Sequence, residues 1–131
     1  MDELEKVVVK DAQYKLGSVS IAKDVVRDIA RLTATDVSGV AGLSGGVVGG
    51  IVERLGHKNV SRGVKVEVGE KEVAIDIYVV VEFEYPIPEV AVNIQQQVKA
   101  AVEKMTGLTV VEVNIHVQGV SFEEESEDRV K

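Results

Sequence analysis

Pro86–Val120, PIPEVAVNIQQQVKAAVEKMTGLTVVEVNIHVQGV, reads as a helix, a glycine stop and an alternating strand. Pro88 suits the first helical position, where its fixed φ and missing N–H cost nothing. Val90, Ile94, Val98, Ala101 or Val102, and Met105 then recur at helical spacing, which predicts one apolar stripe. Gly107 follows the last of them and can take the left-handed conformation that ends a helix. Beyond it, Val111, Val113, Ile115 and Val117 alternate with Glu112, Asn114, His116 and Gln118. That alternation predicts a strand with one buried and one wet face.

Upstream of this stretch, Glu72 to Glu84 predicts the longest strand, with Val73, Ile75, Ile77, Val79, Val81 and Phe83 on one side. Val64–Val68 alternates as well, and Gly69–Glu70–Lys71 joins the two runs as a hairpin. Nearer the start, Gly17–Ile21 predicts a short strand running into a helix. Ser20 is the expected N-cap, and Ala22, Val25 or Val26, Ile29 and Leu32 or Thr33 form its apolar stripe. Lys23–Asp24 and Arg27–Asp28 form its solvent face, and the helix fades near Thr35. Val37–Leu43 predicts another short strand whose glycines allow a bend or bulge.

Two amphipathic helices and an alternating sheet imply an α/β (α+β) two-layer sandwich. Its sheet is mostly antiparallel or mixed, with both helices on one face. The chain divides into a mobile N-terminal arm or weak edge strand at 1–15, one domain at 16–120 and an acidic disordered tail at 121–131. In 131 residues one genuine core is possible, and with 4% aromatics it must be built from Val and Ile. The chain has no Cys, hence no disulfide framework and no thiolate nucleophile or metal ligand. Its acidic N-terminus lacks the basic start of a signal peptide, and the uncharged run at 39–52 is too short and Gly-rich to span a bilayer. These features predict a cytoplasmic protein. A formal net charge of −7 opposes general attraction to nucleic acid or anionic lipid.

Candidate chemistry is sparse. Gly45 and Gly50 have the spacing of P-loop glycines, but Ile51 and Val52 stand where Lys and Ser or Thr are needed. His57 and His116 are the only histidines, and no H-x-x-x-H or H-E-x-x-H spacing supplies further metal ligands. Asp76 and Glu112 fall on the wet sheet face, where nothing desolvates them enough to divide acid and base roles. Arg54, His57, Lys58, Arg62 and Lys65 form one basic cluster beside the Gly-rich segment Val47–Leu55, itself read as a short amphipathic helix. A protein partner is the favoured ligand of that region. RNA would want exposed aromatics, and Tyr78 alone faces the open side of the sheet.

The order of segments carries more information than any one motif. Gly17–Ile21 into Val25–Ala30, then Val37–Leu43, Gly63–Gly69, Val90–Gln95, Met105–Leu108 and the ending Val113–Val120 together resemble the alkaline shock protein family. The resemblance spans roughly residues 15–120. It implies a small non-enzymatic protein of Gram-positive-type bacteria in the general-stress and envelope-stress response. It also implies a protein partner, including a membrane-anchoring protein that would hold it peripheral to the membrane, and a homo-oligomer. No catalytic residue, cofactor or metal comes with it. Two other readings stay open beside this one: a nucleic-acid-binding module and a regulatory partner of a metabolic enzyme.

Overall fold

In the computed structural model the described residues are 6–9, 16–44 and 63–122. The elements in chain order are β1 (Lys6–Val9), β2 (Val19–Ala22), α1 (Lys23–Thr35), β3 (Val40–Leu43), β4 (Val64–Val68), β5 (Glu72–Glu82), α2 (Ile87–Thr106) and β6 (Thr109–Ser121). β1 and β2 pair antiparallel as a two-stranded sheet of their own, so Lys6–Val9 lie in a strand.

The main sheet is built on β5. β6 runs parallel to it along its whole length, from Glu72↔Thr109 to Glu82↔Ser121. A strand has only two edges, so β3 and β4 share the other one end to end. β4 pairs antiparallel with Val73–Ile77, and β3 with Val79–Val81. The sheet is therefore mixed, and the link from β5 through α2 to β6 is a parallel crossover. α1 packs over β3 and β4, α2 packs over β6, and the helices touch each other. Both lie on one face, which is the expected two-layer α+β sandwich.

Between the layers sits an aliphatic core. Val73, Ile75, Ile77, Val79 and Val81 are buried on β5, Val64 and Val66 on β4, and Val90, Ile94, Val98 and Val102 on α2. Every second residue of β5 faces the helices, as the sequence alternation required. Gly107 ends α2 at φ +79°, and its N–H donates to the carbonyl of Glu103. Pro88 falls one position inside the helix start. The bulge expected in the Gly-containing β3 lies between Val40 and Gly42.

Several expected positions differ. Met105 is 69% exposed, and Thr106 is buried in its place because the stripe steps by four from Val90. The Thr106 hydroxyl donates to the Val102 carbonyl and accepts the Leu108 N–H, which makes its burial inexpensive. Of the alternatives in the α1 stripe, Val26 is buried and Val25 exposed, and Thr33 is half-buried and Leu32 exposed, whereas Arg27, expected in solvent, is buried with its head paired to Asp24. Ser20 does not cap α1. It lies in β2 opposite Val8, and the helix begins three residues later behind an Ala22 N-cap.

Phe83 leaves the buried face because β5 stops at Glu82 and the chain turns. The longest strand is β6, not β5. Within β6, Val111 was expected inside and is exposed. It is an extra residue between the pairs Val73↔Val110 and Ala74↔Glu112, so Val110 and Val113 are buried with two exposed residues between them. Gln118 is a second such residue, between Val79↔Val117 and Val80↔Gly119.

A candidate interaction surface: the open face and half-capped edge

The sheet face away from the helices collects the other half of each alternation. Asp76 and Tyr78 on β5 stand opposite Asn114 and His116 on β6, and Lys65 on β4 stands opposite Asp76. The Asn114 amide nitrogen donates to Asp76 Oδ1 and to Glu112 Oε1, at 3.1 Å each. His116 Nε2 donates to Asp76 Oδ1 at 3.0 Å, while its ring stacks on Tyr78 with centroids 4.5 Å apart and planes 15° from parallel. The two carboxylates singled out from the sequence are thus neighbours, bridged by one amide. They share a hydrogen-bond network on a half-exposed surface rather than a desolvated cleft. Among the described residues, no group of three or more His, Asp or Glu side chains gathers to hold a metal.

Of the sequence-predicted basic cluster, Lys65 is exposed on this face. Arg54, His57, Lys58 and Arg62 lie outside the described residues, as do Gly45, Gly50 and the Val47–Leu55 segment. Carboxylates dominate the described part of the face: Glu67, Asp76, Glu82 and Glu112 alternate onto it.

Sequence reasoning missed the treatment of the β6 edge. Gln95, Lys99 and Glu103 form a row along α2 at four-residue spacing and reach down to the outer backbone of β6. Lys99 Nζ donates to the Val110 carbonyl, the Val110 N–H donates to Glu103, and Gln95 Nε2 donates to the Val113 carbonyl, all at 2.9 Å. Lys99 also pairs with Glu103 at 2.9 Å. The Val110 N–H, with Lys99, holds the Glu103 carboxyl below its ordinary value of 4.5. The signal was present as a polar row beside the apolar stripe, but its strand target could not be read from spacing.

That row stops. The next positions on it, Ala91 and Ile87, carry no hydrogen-bonding side chain. The register is unbroken from Val113 to Val117, so Ile115 and Val117 aim their backbone groups outward as Val113 does. No described group pairs with them. Among the described residues, the edge is capped from Val110 to Val113 and has no partner from Ile115 onward, where Ile115–Ser121 (IHVQGVS) has neither Lys nor carboxylate. Natural edges are usually blunted by such charges.

Among the described residues, no helix is long and apolar enough to cross a membrane. Residues 11–122 match the model of the family of alkaline shock protein 23, described as having a cell envelope-related function. The chain is 39% identical over 113 residues to the Bacillus subtilis (strain 168) protein YqhY, covering 86% of this chain and 84% of that one. It is 38% identical to YloU of the same organism, covering 84% and 93%. It is 33% identical to a stress response regulator gls24 homolog of Streptococcus pyogenes serotype M3, covering 85% of this chain and 63% of the streptococcal one. Among solved structures, the MamM CTD overlaps at a TM-score of 0.45 and 17% identity, over 73% of this chain and 96% of that one. The segment order read from the sequence and the match over residues 11–122 agree: the chain belongs to the alkaline shock protein family, a stress-response family with a cell envelope-related function.

Proposed function

We infer that this protein is a non-enzymatic interaction module of the envelope stress response. It works in the cytoplasm near the membrane through a protein partner, and it assembles with copies of itself. The observation that carries this reading is the half-open β6 edge. Backbone groups at Ile115 and Val117 that no described residue pairs, uncharged side chains around them and the sheet behind them form a template for strand addition. Antiparallel pairing of two such edges brings no like charges together. The acidic open face supports a protein partner over nucleic acid, because its carboxylates repel phosphate.

The test is a tagged pull-down from native cells, with membrane and cytosolic fractions separated, alongside sedimentation of the purified chain. Gln118→Lys places a charge on the open edge at an exposed position and is expected to abolish strand addition while leaving the circular dichroism melt unchanged. Loss of self-association and of a membrane-fraction partner supports the reading. A monomer at high concentration with no captured partner overturns it, as does a single stoichiometric metabolic enzyme or a nuclease-sensitive RNA complex in place of membrane proteins.

A further inference from the structure

Phe83 and Phe122 stand side by side just past the ends of the two central strands. The Phe83 N–H donates to the Ser121 carbonyl at 3.0 Å, and the rings lie 4.9 Å apart, tilted by 43°. The register shift at Gln118 creates this pair. Without the extra residue, Ser121 rather than Phe122 would stand opposite Phe83. Yet the rings are not buried: Phe83 is 54% exposed, Phe122 46% and neighbouring Val120 40%. An apolar cluster left in water beside a well-filled core marks a contact surface.

Among the described residues, the charges that flank the pair in the chain are carboxylates: Glu82 and Glu84 stand on either side of Phe83. No Lys or Arg occurs between Lys71 and Lys99, or between Lys104 and Arg129. Apolar rings inside an acidic rim complement apolar side chains interleaved with cations. They do not complement a second copy, since a two-fold contact would set two glutamate rims against each other. Nor do they suit an anionic bilayer surface.

We propose that the Phe83–Phe122 pair and its glutamate rim dock a basic, apolar-studded peptide segment of a partner protein. This deepens the interaction-module reading and rests on it. The rings supply contact area, and the glutamates supply orientation and a salt-sensitive on-rate.

The test uses the full chain and a fluorescein-labelled peptide alternating Lys with Leu, compared by anisotropy with a twin carrying Ser for Lys. The basic peptide is expected to bind at least about tenfold more tightly than its twin, and to weaken as salt rises. Phe83→Ser with Phe122→Ser should cost about tenfold or more, and Glu82→Gln with Glu84→Gln roughly threefold together with most of the salt dependence. Thermal melts establish that each variant folds, and Phe122→Leu serves where the double variant does not. Equal binding of the two peptides, or binding unchanged in the phenylalanine variants, overturns the proposal. So does flotation of the chain on phosphatidylcholine vesicles, or dimerisation, when either is lost with those phenylalanines. Cellular partner capture that survives the phenylalanine variants overturns this inference and leaves the module reading standing. Peptide binding in a chain that captures nothing from cells overturns that reading and not this one.

Discussion

Glu103 accepts the backbone N–H of Val110 across 2.9 Å, tying the last turn of α2 to the second residue of β6. The bond exists for the carboxylate, and the same oxygen accepts Lys99. The folded-state pKa is therefore depressed. A depressed carboxylate contributes stability that is present above its unfolded pKa and lost as pH falls through the folded one. Glu103→Gln is expected to lower stability by about 1 kcal/mol at neutral pH, with the difference from the native chain shrinking in acid. Paired thermal melts from pH 7 down to below the ordinary carboxylate value check it; a difference independent of pH would contradict the charge-assisted bond.

Gln95 and Lys99 guard the capped half of the β6 edge. Gln95→Ala with Lys99→Ala bares the Val110 and Val113 carbonyls, extending the open template toward the start of the strand. The double variant is expected to fold, to lose about 1 kcal/mol for the two half-exposed bonds, and to associate at lower concentration than the native chain. Sedimentation velocity over a dilution series measures this, and an unchanged profile would mean that the side chains do not protect the edge.

Two positions of positive φ should respond in opposite directions. At Gly39, φ is +95° and an added Cβ would lie 2.8 Å from both the Tyr85 ring and a Val90 methyl. Gly39→Ala is expected to cost about 2–4 kcal/mol through backbone strain and overpacking. Glu84, at φ +85°, is a non-glycine residue where a turn from Glu82 to Tyr85 favours glycine. Glu84→Gly should raise stability by about 0.5 kcal/mol, whereas Glu72→Gly, in extended strand, should lower it. Chemical denaturation resolves the three signs.

The elements were legible where the periodicity was local and uninterrupted. Val73–Val81 could hardly be anything but a half-buried strand, and Gly107 marked its helix end to the residue. Val111, Phe83 and Met105 were misplaced for a shared reason: each lies where a period breaks, at a bulge, a strand end and a last helical turn. Such breaks are set by long-range register rather than by neighbours in sequence. Asp76 and Glu112 were placed on the right face, yet the Asn114 bridge between them depends on β5–β6 pairing. The edge row of Gln95, Lys99 and Glu103 was visible as polarity without a target. Segment order carried the family assignment, because it survives even where individual residues are ambiguous.

β3 and β4 meet on one edge of β5, with the Ser44 N–H bonded to the Tyr78 carbonyl and Val64 opposite the very next residue, Ile77. Both run in the same direction, so the sheet treats them as a single strand that is left at Ser44 and resumed near Gly63. The two ends of residues 45–62 are thus held together by β5 whatever the length between them, and lengthening a loop twofold costs only about 0.6 kcal/mol. A change in the number of residues between β3 and β4 therefore leaves the pairing partner of each strand on β5 as it is, and makes this break the place where an insertion asks least of the sheet.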